Sequence, residues 1–200
     1  MRKTGLLFVL LAVVTLSVPA QGLYLDAGLG FSKGWTKFGE IDIDETFAKE
    51  GIDFTSELTF DLGLRAGFGP LGSIPLYIVG EFSGMGYRVS GDDGYLQLHS
   101  FLIGPGIIFY PVSFFQLGAS VGYSFTGNLS DLPDYLKYES EKGYAWNVSA
   151  AFDLGFGNSG LLLGIKYFSA SNILQTTDRQ ESSMISFFVK YAFRQKVSKP

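Results

Sequence analysis

Leu58-Thr59-Phe60-Asp61-Leu62-Gly63-Leu64-Arg65-Ala66-Gly67-Phe68 alternates without a break. The even positions are Leu, Phe, Leu, Leu, Ala and Phe, and the odd ones are Thr, Asp, Gly, Arg and Gly. A period of two puts these sets on opposite faces of a β-strand, one apolar and bulky, the other small and polar. The same division recurs in Leu23–Ser32, Phe115–Phe125, Tyr144–Phe156 and Ser183–Phe193. Leu76–Phe82, Phe101–Phe109 and Leu161–Phe168 follow it less regularly. In Phe101–Phe109 the glycines at 104 and 106 fix the small face, so Pro105 falls on the large face, where it cannot donate to a ladder.

Eight strands result, and their connections alternate in length. Gly69–Pro75, Tyr110–Phe114 and Gly157–Gly160 read as short turns. Lys33–Glu57, Ser83–Ser100, Thr126–Gly143 and Ser169–Ser182 read as long polar loops. Short turns at one end and long loops at the other are the pattern of a transmembrane barrel, with its turns in the periplasm.

The faces decide which side meets which solvent. No position on the large face carries a charge. The interior of an eight-stranded barrel is just wide enough to be filled by side chains, so it has no room for so many Leu, Phe, Tyr and Ile. The Gly-, Ser- and Ala-rich face fits inside, which leaves the large face outward, where hydrocarbon tolerates it and water does not. The predicted fold is therefore all-β: an eight-stranded antiparallel up-and-down transmembrane β-barrel over residues 23–193. A soluble lipocalin-type barrel is the rejected alternative.

Ahead of the barrel, Met1-Arg2-Lys3 is followed by an uncharged apolar run to Leu16 and by Ser17-Val18-Pro19-Ala20. This is the layout of a secretory signal peptide over residues 1–20, with cleavage after Ala20 or Gly22. Losing Arg2 and Lys3 lowers the formal charge from −4 to −6, and so acidic a chain is a poor nucleic-acid binder. The absence of cysteine excludes disulfides, thiolate metal sites and a lipoprotein anchor. Behind the barrel, 194–200 reads as a basic disordered tail.

Seven charges fall on the inward face: Asp26, Asp61, Arg65, Glu81, Asp153, Lys166 and Lys190. Ions in a narrow lumen must pair, since an isolated one costs several kcal/mol. The expected contacts are Asp61 and Glu81 with a cation such as Lys166, and Arg65 or Lys190 with Asp26 or Asp153. This cluster is the candidate site, read as a plug of ion pairs, with a narrow ion path as its functional alternative.

No catalytic, cofactor or metal site is expected. The single histidine, His99, precedes Ser100, and adjacent strand residues point to opposite faces, so the two cannot form a nucleophile–base pair. Acidic residues of the first loop, from Glu40 to Glu57, lack the spacing of a calcium loop. Gly155-Phe156-Gly157-Asn158-Ser159-Gly160 satisfies a nucleotide-binding string, but no helix follows, and it reads as a hairpin turn.

The chain resembles the small outer-membrane barrels of the OmpA, OmpX and OmpW type in strand number, loop alternation and face pattern. Leu102-Ile103-Gly104-Pro105-Gly106 with Phe109-Tyr110-Pro111 resembles their Gly-Pro strand and turn. Ser186–Phe193, with Tyr191 and Phe193 alternating, resembles the C-terminal signal read by the barrel-assembly machinery, although here seven residues follow Phe193. The resemblance implies a bacterial outer-membrane location, lipid as a partner, and an extracellular ligand for the loops. It also implies a structural or surface-interaction role, or else an OmpW-like conduit for small solutes. A conduit needs an apolar lumen, for which only Leu102, Ile108, Leu162, Met184 and Phe188 are available.

Overall fold

The computed structural model describes residues 22–195 apart from 40, 43–44, 46–48, 50–53, 72, 92–93, 131–139 and 175–178. The expected signal peptide and residues 196–200 of the expected tail lie outside the described residues. Eight long strands form the wall: β1 (Gly22–Phe38), β2 (Thr59–Gly69), β3 (Leu76–Gly91), β4 (Gly94–Val112), β5 (Phe115–Ser130), β6 (Ser140–Phe156), β7 (Ser159–Leu174) and β8 (Arg179–Arg194). Each pairs antiparallel with the next, and β8 returns to β1 from Tyr24↔Arg194 to Phe38↔Gln180, which closes the barrel. Closure matters in a membrane because an open edge would leave backbone groups without partners in hydrocarbon.

Alternation sorts the side chains as the faces require. Along β1 the burial pattern switches at every residue from Gly22 to Ala27. Outward Leu29, Phe31 and Phe187 are 65%, 74% and 71% exposed. Exposed aliphatic and aromatic side chains recur around the wall, for example Ile107, Val121, Phe152, Ile165 and Val189. Such a continuous apolar belt belongs in lipid. On β1 it ends where Lys33 and Lys37 flank Trp35, at the loop end of the strand. Aromatic rings mark the same level elsewhere, with Phe101 stacked on Phe125 at 5.1 Å and Trp146 against Tyr167 at 5.3 Å.

Two local expectations resolve clearly. Phe156 pairs with Ser159 across a two-residue turn in which Gly157 has φ +71°, so the glycine-rich string is a hairpin. At Pro105 the ladder between β4 and β5 skips Gly104 and Pro105, yet Ile103↔Tyr123 and Gly106↔Ser120 keep one register. The missing donor costs bonds without shifting the strand.

The loop lengths need correction. Ser83–Ser100, read as a long loop, is a hairpin in which β3 and β4 stay paired as far as Gly91↔Gly94. Lys33–Phe38 continues β1, Ile41–Asp42 folds back onto it, and Phe54–Glu57 pairs with the outer end of β3. Thr126–Ser130, Ser140–Gly143, Ser169–Leu174 and Arg179–Ser182 likewise extend their strands. Beyond the belt both faces of a strand meet polar surroundings, so loop-like composition coexists with an intact ladder.

Candidate functional site

All seven inward charges are buried in the lumen, none more than 4% exposed. They form linked groups rather than one cluster, and side chains that the charge pattern did not single out join them.

The group nearest the turn end centres on Asp26 and Arg65, which face each other across β1 and β2. Arg65 donates from Nε to Asp26 Oδ2 at 2.7 Å, and Tyr24 donates its hydroxyl to the same oxygen at 2.7 Å. Lys190 Nζ stands 3.7 Å from Asp26 Oδ1. Arg65 Nη2 also donates to Gln116 Oε1 at 3.0 Å, while Gln116 Nε2 donates to Tyr24 at 2.8 Å and to Tyr110 at 2.7 Å. Both amide protons and the carbonyl of Gln116 are thus engaged. Tyr110 in turn donates its hydroxyl hydrogen bond to Asp153 Oδ2 at 2.9 Å.

Asp153 is completed by a residue assigned above to the tail. Arg194 belongs to β8 and reaches both oxygens of Asp153, at 2.5 and 3.1 Å. Its guanidinium also lies 5.3 Å from the Tyr110 ring centre. The strand runs one residue past the terminal-aromatic pattern, because Arg194 pairs with Tyr24 of β1 and Gln195 donates to the Leu23 carbonyl.

Higher in the lumen, Lys166 pairs with Asp61 Oδ1 and donates to Ser83 at 2.7 Å, and Ser186 donates to Asp61 Oδ2 at 2.6 Å. Glu81 departs from its expected ion pair. Among the described residues its partners are neutral: Ser120 donates to one oxygen at 2.5 Å and Asn147 to the other at 3.0 Å. Its cross-strand neighbour is Arg65, so positive charge lies close without a direct bond.

Counting Arg194, the lumen holds, among the described residues, four carboxylates (Asp26, Asp61, Glu81, Asp153) and four cations (Arg65, Lys166, Lys190, Arg194). Its formal charge is zero. Inward glycines make room for these long side chains. A Cβ added at Gly118 would fall 2.6 Å from Arg65 Nη1, and one at Gly63 would fall 2.5 Å from Lys190 Nζ.

Apolar side chains fill the gaps between the charged groups. Tyr24, Val79, Ile108 and Tyr110 pack at the turn end, Ala151, Leu162, Phe188 and Ala192 pack on the β6–β8 side, and Met85, Leu102, Phe168 and Met184 pack toward the loop end. His99 faces outward, with its ring centre 5.2 Å from that of Phe60 and 6.3 Å from that of Phe101. Ser100 is buried on the other face.

Among solved structures the fold is similar to that of Ail, the attachment invasion locus protein of Yersinia pestis, in complex with the heparin analogue sucrose octasulfate. That match has 12% identity, covers 86% of this chain and 99% of that one, and has a TM-score of 0.51. Neisserial surface protein A is similar as well, with 14% identity, 84% of this chain and 95% of that one covered, and a TM-score of 0.51. At such identities the likeness speaks to fold alone. With the closed wall and the outward apolar belt, it defines the class: a small eight-stranded β-barrel of the bacterial outer membrane. The sequence matches no family model and no curated protein.

Proposed function

We propose that this chain is a non-enzymatic outer-membrane barrel whose lumen is plugged and whose working surface is its loop end. One observation carries the reading: among the described residues eight lumen charges balance to zero, and the seven inside the wall are at most 4% exposed. A water-filled channel would leave its ions wet, as porin interiors do. Here carboxylates and cations face one another across the lumen and are spanned by Gln116, Tyr24 and Tyr110.

The five apolar residues expected for a conduit are joined in the lumen by others, such as Val79, Met85 and Phe168, but they are split. Leu102 and Met184 pack in one cluster, Leu162 and Phe188 in another, and Ile108 in a third. Charged groups lie between them, which disfavours an apolar path. Catalysis is disfavoured by His99 and Ser100 pointing to opposite faces of β4.

A structural or surface-interaction role remains, with the hairpins beyond the belt presented outside and Ser186–Phe193 engaging the barrel-assembly machinery. Ail is seen with a polysulfated ligand, but the net acidic composition here is the wrong sign for a polyanion. A neutral or cationic surface partner fits better. Proteoliposomes carrying the purified barrel test the plug: no swelling is expected in isosmotic arabinose or glycine, and swelling at a porin-like rate would overturn it.

A further inference from the structure

The outward face of β5–β8 carries a depression of about 370 Å³ within the apolar belt. Leu117, Val148, Ala150, Ile165, Tyr167 and Ile185 line it, together with Ser149 and Lys166, which are buried and alternate with the outward residues of their strands. The register explains the hollow. Leu117, Ala150 and Ile165 stand side by side on β5, β6 and β7, and the next outward row toward the loop end runs Ala119, Val148, Tyr167, Ile185. Ala119 and Ala150 are diagonal neighbours where most of the belt carries Leu, Ile, Val or Phe, so the floor sinks between branched walls. At the loop-end rim Trp146 packs on Tyr167, whose hydroxyl donates to Ser183 at 3.3 Å and holds that wall in place.

We infer that this hollow seats one acyl chain of an outer-leaflet lipid. The inference rests on the outer-membrane reading of the belt and adds a specific lipid position to it. The ladder already satisfies the strand backbone, so a polar ligand gains no partner on such a wall. A stable protein partner engages about 20–30 residues a side, far more than the eight residues around this hollow. A single hydrocarbon chain entering beside Trp146 and running past Tyr167 to Ala150 and Leu117 meets apolar contacts throughout.

The two tryptophans, Trp35 and Trp146, make the seat directly readable. In a Trp35→Phe background the remaining indole sits at its rim, and phosphatidylcholine brominated in mid-chain quenches indoles that its chain touches. In vesicles of that lipid, Trp146 quenching is expected to exceed that in a variant also carrying Ala150→Phe, whose ring fills the floor. Ala27→Phe, which adds the same ring to the exposed face of β1, should leave the excess intact. Gel mobility of unheated samples confirms that each variant is folded, and Ala150→Leu serves if the phenylalanine variant does not assemble.

Equal quenching in all folded variants would overturn the seat. So would a Trp146 signal that depends on protein density and loses that dependence with Ala150→Phe, since a second copy would then cover the hollow. Absence of any quenching by brominated lipid would instead strike at the outer-membrane reading itself.

Discussion

Replacing Arg65 with methionine keeps the aliphatic stem and removes the guanidinium from the centre of the lumen. Asp26 then retains the Tyr24 hydroxyl and Lys190 at 3.7 Å, and the lumen acquires a net charge of −1. Gln116 Oε1 loses its donor as well. Removing one partner of a buried ion pair costs about 3–5 kcal/mol. An exposed, screened pair is worth at most about 1 kcal/mol, so the size of the loss reports whether the lumen is sealed. The companion variant Asp26→Asn/Arg65→Met restores neutrality, and it is expected to lose less than the two single changes summed, with a coupling of about 0.5–3 kcal/mol. Urea unfolding in phospholipid vesicles, followed by tryptophan fluorescence, measures all three proteins. A loss under about 1 kcal/mol for Arg65→Met, together with additive single changes, would refute a dry, coupled network.

Truncation after Phe193 is expected to weaken assembly because it removes Arg194 from Asp153, whereas truncation after Gln195 leaves both and should preserve the folded band on unheated gels. Gly118→Leu pushes a side chain into Arg65 and should destabilise by about 1–3 kcal/mol in the same urea assay. Val189→Arg, on the exposed belt of β8, should cost up to about 2–4 kcal/mol according to its depth in the bilayer. An unchanged unfolding midpoint would mean that this face does not meet lipid.

Much of this arrangement is legible in the alternation itself. Once Asp61 and Arg65 fall on the small face of one strand, parity alone assigns Asp26, Glu81, Asp153, Lys166 and Lys190 to the same side. Parity also assigns Arg194 inward, two positions beyond Ala192, but the aromatic pair Tyr191 and Phe193 is an apparent strand end and hides it. Which ion meets which is harder to read, because contacts across the lumen depend on barrel closure rather than on neighbouring strands. Glu81 therefore ends on Ser120 and Asn147, two and three strands away by position in the chain. Gln116 gave no signal, since a single inward glutamine is unremarkable until three polar groups converge on it. The outer hairpins are hidden in the sequence for a different reason: hydrophobic contrast ends where the bilayer ends, and hydrogen-bonded pairing does not.

Sealing of the lumen charges can be measured most directly on the Arg65 Nε proton, which is donated to Asp26 in the interior of the barrel. Nitrogen-15 NMR of the protein in nanodiscs, after transfer to deuterated buffer, follows its exchange alongside that of exposed Arg179. In a plugged barrel the Arg65 signal is expected to persist long after the Arg179 signal has gone. Loss of both signals at the same rate would mean that water reaches the Asp26–Arg65 pair and that the lumen is open.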